Sequence, residues 1–482
     1  MKLKSDLSNL EEFLPKTYSP EKRLKAKTLF FKKLALKAHQ FYGGKIAVIP
    51  KAGPMLPAWL SVWYTPGVSS VSTAVRADNA ASFALSGRGG RALVLSDSTR
   101  VLGDGDCTPP GGLGVMEGKA MLMKYLGGFD AFPVCINSRG ADGKPSAEKI
   151  IDFAHMVTPT FGAINLEDIS QPNCYRVLDE LQKTCSIPVW HDDAQGTACV
   201  TCAALINALK LVRKKINKIK IVLYGAGAAN STVAKYLMLL GANGGDIVMF
   251  DSAGTLNKNR TDLKNNPDFY RQWDLCLKTN KNGVKTQEGA FKNADVLIAL
   301  SKPGPGTIRP EWIKLMAKKA IVFACANPVP EIYPDEALAA GAFIAGSGRG
   351  DFPNQVNNSL CFPGLLKAVL LCRAKAITDG MALAAAEAIA ACAAAKGLKK
   401  EKILPDMYDP EVYPLQVKAV VKQALQEGLA RENITPEEAY KRAKADIKAS
   451  RRLSGDLYKS GYIKKLPASL ISSALKEALI EA

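Results

Sequence analysis

Histidine is scarce in this chain of 482 residues, with three in all. So few leave little material for a zinc site or a histidine-based triad. A secretory signal core is missing too: the N-terminal MKLKSDLSNL is charged, and no apolar run is expected to reach membrane-spanning length. The eleven cysteines are an odd count without framework spacing. The one CxxC pair, Cys199 and Cys202, falls in a small-residue run that reads as a helix interior, and reduced thiols point to the cytoplasm. Nor is there a basic block with interleaved aromatics. The net charge is +19, but the lysines are spread along the chain among acids, so most of this charge reads as solvated surface. A nucleic-acid partner is disfavoured and a membrane is not expected.

What is present is an ordinary apolar content of 47% and enough length for two or three domains. After a charged, helix-patterned start to about Tyr42, short apolar runs alternate with helical patterns. ALVLSDS, DAFPVCIN, FGAINLED and IPVWHDD read as buried strands, separated by VMEGKAMLMKYL, AEKIIDFAHMVTPTF and CYRVLDELQKT as helices. A helix from about Thr197 then leads to a second unit, in which IKIVLYGAGAANSTVAKYLMLLGANGGDIVMFD is strand, glycine turn, helix and strand. ADVLIALS, AIVFACANP and AFIAGSG add three more strands. From about Gly364 the chain is helical, with a capping box at Thr435 and Glu438. The fold class is α/β: an N-terminal α/β domain, a Rossmann-type doubly wound parallel-sheet domain and a helical C-terminal region. The expected divisions are 1–196, 197–430 and 431–482.

Gly225-Ala-Gly227-Ala228-Ala-Asn230 follows an apolar strand and opens a helix. Gly225 permits the tight turn, and Gly227 lets the backbone approach a pyrophosphate at the helix N-terminus. Asn230 stands where a third glycine is usual, which predicts slightly looser packing of helix on strand. Asp251 ends the next strand at the spacing of a carboxylate that binds a ribose 2′-hydroxyl, so NAD is the expected cofactor. Ser252, Lys258 and Arg260 follow closely and offer a 2′-phosphate a home, which keeps NADP open.

Two acidic pairs follow strands of the first unit: Glu167 and Asp168 in NLEDI, and Asp192 and Asp193 in VWHDDAQGTA. One such pair alone reads best as helix capping. Two pairs at one sheet edge suit a hard divalent ion, Mg²⁺ or Mn²⁺. Tyr64, Arg100 and Lys119 are the other polar residues in apolar or glycine-rich settings. Beside a metal and a dinucleotide, Lys119 is a candidate general base with a lowered pKa.

The runs YTPGV, TRVLGDGD, GKAMLMKY, NLEDI, HDDAQGTA, GAGAAN, ANPVPEIYPDEA and DFPNQVNNSLCFPG, in this order over about residues 40–430, resemble the malic enzymes in their shorter prokaryotic-type form. The departures are Asn230, Trp63 before the tyrosine, and Ala194 between Asp193 and Gln195. The resemblance implies oxidative decarboxylation of L-malate to pyruvate and CO₂, in an N-terminal substrate and metal domain followed by an NAD(P) domain. By the same resemblance Glu167, Asp168 and Asp193 are metal ligands, Asp192 works beside the base Lys119, and Tyr64 is the general acid. Arg100, Asn327 and Asn358, with Asn357 beside it, hold the malate carboxylates. Gly225, Gly227, Ala228, Asn230, Asp251, Ser252 and Asn327 line the cofactor site. A homodimer or higher homo-oligomer is expected. A malolactic enzyme, which keeps its NAD and releases lactate, is the nearest alternative, and a basic nucleic-acid-binding protein on a Rossmann scaffold a remote one.

Overall fold

Branched and aromatic runs form two sheets in the computed structural model, which describes residues 3, 4 and 6–482. Helices cover both faces of a parallel sheet, so its strands lack the alternation of a half-exposed one. The first sheet contains β1 (Arg91–Ser96), β2 (Asp130–Cys135), β3 (Ala163–Leu166) and β4 (Val189–His191) in the order β2-β1-β3-β4. The second contains β5 (Ile221–Tyr224), β6 (Ile247–Asp251), β7 (Gly254–Thr255), β8 (Val296–Ala299), β9 (Ile321–Ala324) and β10 (Ile344–Ser347). Its order is β10-β9-β8-β5-β6-β7, and β7 alone runs antiparallel to its neighbour. That two-residue strand was not expected; it is too short to leave a periodic signal. The others match the apolar runs.

Strand order decides where ligands go. From β1 the chain places β2 on one side and β3 on the other, so a crevice opens at the carboxyl ends of β1 and β3. In the second sheet the reversal is at β5, between β6 and β8, where Gly225 begins the turn. The register pairs Leu95 with Leu166, and Leu166 with His191. Asp97, Glu167 and Asp192, each a step or two beyond those residues, therefore leave the same edge.

The helix Thr197–Val212 is buried along most of its length, and Asn207 in it donates to the carbonyls of Ala390 (2.8 Å) and Ile403 (2.9 Å). Cys199 and Cys202 are fully buried in this helix as free thiols. One apolar run exceeds the expected length. The stretch Asp192–Val212 is long and apolar enough to cross a bilayer, but it starts with two aspartates and is mostly buried within the protein, as a core helix is.

Both sheets belong to a compact unit over residues 52–450. Residues 1–51 and 451–482 form a second unit, in which the helix Pro20–Tyr42 packs on Ala468–Glu481 through Phe30, Leu34, Ile471, Ala474 and Leu475. Ser19 caps the first helix by accepting from the Lys22 N–H (3.2 Å), and left-handed Gly43 (φ 67°) ends it. The capping box forms as expected: Glu438 N–H donates to Thr435 Oγ1 (3.2 Å) and Thr435 N–H to Glu438 Oε2 (2.9 Å).

Candidate active site

Glu167 and Asp168 follow β3, and Asp193 faces them from the turn after β4. One oxygen of each lies within 4.8 Å of the others. Asp168 sits in the left-handed region (φ 53°); its N–H donates to Asp193 Oδ2 (2.7 Å) and its carbonyl accepts from the Arg100 N–H (3.0 Å). Asp168 Oδ2 is buried with no hydrogen-bond partner among the described residues. Three hard oxygen donors, one of them without a partner, fit a Mg²⁺- or Mn²⁺-sized cation.

Asp192 has a different neighbourhood. It opens a single π turn, Asp192–Gly196, that joins β4 to the following helix. Its Oδ1 accepts from Trp190 Nε1 (3.2 Å) and its Oδ2 from Lys119 Nζ. Lys119, on the helix Leu113–Gly127, also meets Glu167 Oε1 (2.9 Å) and Asn358 Oδ1 (3.4 Å), and its ammonium lies 4.6 Å from the centre of the Phe362 ring. A Cβ on Gly196 would come 1.9 Å from Asp192 Oδ1, so glycine is what lets the carboxylate sit there. Trp190, Phe362 and Gly196 went unflagged in the sequence because each reads locally as packing or turn.

The charges here are strongly coupled. Burial pushes the Glu167 and Asp192 carboxyls up to about 7 and that of Asp168 up to about 9, and Asp193 is raised as well. Burial opposes a charge on Lys119, but Asp192, Glu167 and Asp193 outweigh it and hold the amine above the ordinary lysine range. This reverses the expected lowering: three carboxylates around one ammonium win over desolvation. Neighbouring His191 is buried and pushed down to about 3 by burial, so its ring is neutral.

A pH dependence results. Raised carboxyls keep protons in the folded state that the unfolded chain has already lost, so their effect is to lower stability as pH rises from about 4 to 9. His191 acts oppositely: its contribution is lost as pH falls below its ordinary value of 6.5 towards about 3. Metal-stripped protein is thus expected to melt at a falling temperature between about pH 6.5 and 9, with Mn²⁺ restoring most of the loss. Calorimetry showing a flat or rising melting temperature over that range, or no metal effect, would contradict it.

The substrate candidates gather near this edge to different degrees. Arg100 is exposed, and its backbone ties the loop after β1 to Asp168. A Cβ on Gly103, in the same loop, would come 2.6 Å from the Asn327 carbonyl, so this loop lies against the turn after β9. Asn358 reaches Lys119, whereas the Asn357 side chain accepts from the Ser359 N–H (2.9 Å) and caps a short helix. Glu331, not singled out in the sequence, is fully buried. It accepts from Ser301 N–H (2.7 Å) and Oγ (3.1 Å) and from Ala326 N–H (3.1 Å), clasping the turn that carries Asn327. Its one sequence signal was a carboxylate amid the prolines of NPVPEIYP.

At the second sheet Gly225 has φ 100°, and a Cβ there would meet the Leu300 carbonyl at 2.5 Å. Gly227 and Ala228 open the helix Ala228–Leu239, and a Cβ on Gly227 would meet open space, as a surface for a ligand requires. Asn230 does not loosen the packing. It is fully buried, and its amide donates to the carbonyls of Tyr224 (3.1 Å), Gly225 (3.0 Å) and Ile298 (3.4 Å), tying the helix to two strands. Asp251 is gripped by Arg260 through two bonds of 2.9 and 2.7 Å, and the same guanidinium holds Asp262 at 2.7–2.8 Å. Ser252 and Lys258 are exposed beside them.

Tyr64 stands apart. It is 73% exposed, and its hydroxyl has no hydrogen-bond partner among the described residues.

Residues 52–182 match the malic enzyme N-terminal domain and residues 194–426 the malic enzyme NAD-binding domain. The chain is 40% identical to the bifunctional malic/malolactic enzyme of Bacillus subtilis, over 84% of this chain and 95% of that one. It is also 40% identical to the NAD-dependent malic enzyme of Geobacillus stearothermophilus, over 83% of this chain and 80% of the relative. A crystal structure of the Entamoeba histolytica malic enzyme superposes with a TM-score of 0.98 at 51% identity, covering 100% of this chain and 99% of that one. Other relatives are named NADP-dependent.

Proposed function

The chain belongs to the malic enzyme family, with a nicotinamide-cofactor domain and a small-molecule substrate, and from that premise we propose that it oxidises L-malate with NAD⁺ and releases pyruvate and CO₂. The observation that carries this reading is the contact of the Lys119–Asp192 pair with Glu167, one of the three clustered carboxylates. A divalent ion among those carboxylates would supply positive charge to polarise the C2 oxygen of the substrate and would offset the field that keeps Lys119 protonated. Lys119, steered by Asp192, takes the C2 hydroxyl proton as hydride leaves C2 for the nicotinamide. Trp190 and Gly196 hold Asp192 at the amine. Arg100, Asn327 and Asn358 bind the malate carboxylates, and Tyr64 returns a proton to C3 once CO₂ has left.

Charge favours NAD⁺. Around the ribose position the Arg260 guanidinium is already taken up by two carboxylates, Asp251 and Asp262, so a 2′-phosphate would have to displace one of them and, among the described residues around it, would find only the exposed Lys258 free to meet it. Asp251→Ser would leave Arg260 with one carboxylate and move the kcat/KM ratio towards NADP⁺ by roughly 10–100-fold, the worth of a charged hydrogen bond. A wild type that already prefers NADP⁺ would refute this.

The deciding assay supplies L-malate and Mn²⁺ with either cofactor, follows reduced nicotinamide and measures pyruvate and lactate. Pyruvate matching NADH is the expected result. Lactate with no net NADH would replace the reading with the malolactic one, the activity also named for the Bacillus subtilis relative. Absence of both products would overturn it.

A further inference from the structure

The strand β3 carries one polar residue, Asn165, within the buried run Ala163–Leu166. Its strand partners are Val94 on one side and Trp190 on the other, and paired residues of parallel strands share a face. Val94, Trp190 and Ala163, two residues back on β3, all belong to the apolar core on that face. Packing alone would set a branched apolar residue in this row. Asn165 is instead fully buried there, and its Oδ1 has no hydrogen-bond partner among the described residues. A buried amide with one bond unmade needs a reason other than packing.

That reason stands two residues further along the chain, at the spacing of side chains on one face of a strand. Asn165 Nδ2 donates to Glu167 Oε2 (2.9 Å). The amide takes this orientation because its oxygen, turned to the carboxylate, would be repelled. Glu167 is thus held from two sides, at Oε2 by Asn165 and at Oε1 by Lys119 Nζ (2.9 Å). The neighbouring β4 repeats the arrangement: Trp190 Nε1 donates to Asp192 Oδ1 (3.2 Å), again two residues ahead. Both carboxylates meet Lys119, but they differ in what else they do. Glu167 belongs to the cluster with Asp168 and Asp193, and Asp192 does not.

We propose that Asn165 is a positioning residue for the cation site, whose amide keeps the Glu167 carboxylate aimed at Asp168 and Asp193 against the pull of Lys119. The inference rests on the reading of those three carboxylates as the holders of a divalent ion. Without the amide, Glu167 keeps a single tether, the ammonium, and turns towards it and out of the triad. A side chain that orients a metal ligand is typically worth roughly 10–100-fold in metal affinity. The unmade bond at Oδ1 is what the fold gives up for that aim.

The test measures Mn²⁺ affinity by electron paramagnetic resonance at one fixed pH, with circular dichroism as the check on folding. Asn165→Leu keeps the branched shape and loses the donor, and is expected to bind Mn²⁺ roughly 10–100-fold more weakly. Asn165→Val, which is smaller, should show the same loss and serves if leucine crowds the row. Trp190→Phe disturbs the same row and removes the matching donor, yet should bind Mn²⁺ as the wild type does, because Asp192 lies outside the cluster. In a Glu167→Gln background there is no carboxylate left to aim, so Asn165→Leu should cost no further affinity. Wild-type affinity in folded Asn165→Leu and Asn165→Val overturns the proposal. So does an equal loss in Trp190→Phe, or the same loss with and without Glu167. Wild-type affinity in Glu167→Gln alone would overturn the reading of Glu167 as a metal ligand, and the proposal with it.

Discussion

Lys119→Ala is expected to lower malate turnover by roughly 10²–10⁴-fold, the usual contribution of a positioned general base to its own step. The loss falls on hydride transfer, because the C2 hydroxyl keeps its proton, so malate deuterated at C2 should show a large isotope effect. Tyr64→Phe should lose turnover as well, but with a smaller isotope effect, since protonation of C3 then limits the rate, and it should convert added enolpyruvate to pyruvate poorly. Lys119→Ala also strips Asp192 and Glu167 of their counter-charge. Both carboxyls already sit at about 7, so near neutral pH they take up protons and the fold is retained. Circular dichroism checks that point. A folded Lys119→Ala enzyme with wild-type kcat would remove Lys119 from the chemistry.

Gly196→Ala is expected to cost about 100-fold in kcat, the penalty of misplacing a reacting group by roughly 1 Å. Local chemistry points the other way. Gly196 has φ −66° and ψ −44°, a helical conformation in which alanine is the better residue. The cost is steric and arises from the fold: the new methyl would lie 1.9 Å from Asp192 Oδ1 and 3.3 Å from the Asn358 Cβ, so the carboxylate that meets Lys119 must move. Mn²⁺ affinity, measured by electron paramagnetic resonance, should change little, because Glu167, Asp168 and Asp193 form the cluster without Asp192. Wild-type kcat in this variant would mean that Asp192 does not act through Lys119.

Much of the first sheet and its acidic edge was legible in the chain. Four apolar runs give four parallel strands, and a parallel register brings the residues just past neighbouring strands to one edge. The meeting of NLEDI with VWHDD was therefore implied by their places in the chain. The same holds for Gly225, since a strand that turns sharply into a helix needs φ near 100° and room for a carbonyl 2.5 Å from where a Cβ would be. Asn230 was legible as a departure, though its three hydrogen bonds were not. A motif reports which residue is present and not which carbonyls surround it.

The sequence by itself determined the elements, their parallel arrangement and the chemical types at the strand ends, because these depend on short-range pattern and spacing. Tertiary structure alone decided the charge state of Lys119, the pairing of Asp251 with Arg260, the need for glycine at 196 and the isolation of Tyr64. Each depends on actual distances between groups, whether four or nine residues apart, as Asp192 is from Gly196 and Asp251 from Arg260, or far apart in the chain, as Lys119 is from its carboxylates. A Coulomb field sums over every neighbour at its actual separation, and a steric limit is set by the one nearest atom. Lys119 and Asn358 lie 239 positions apart in the chain, yet their side chains approach to 3.4 Å, a juxtaposition that no local pattern encodes.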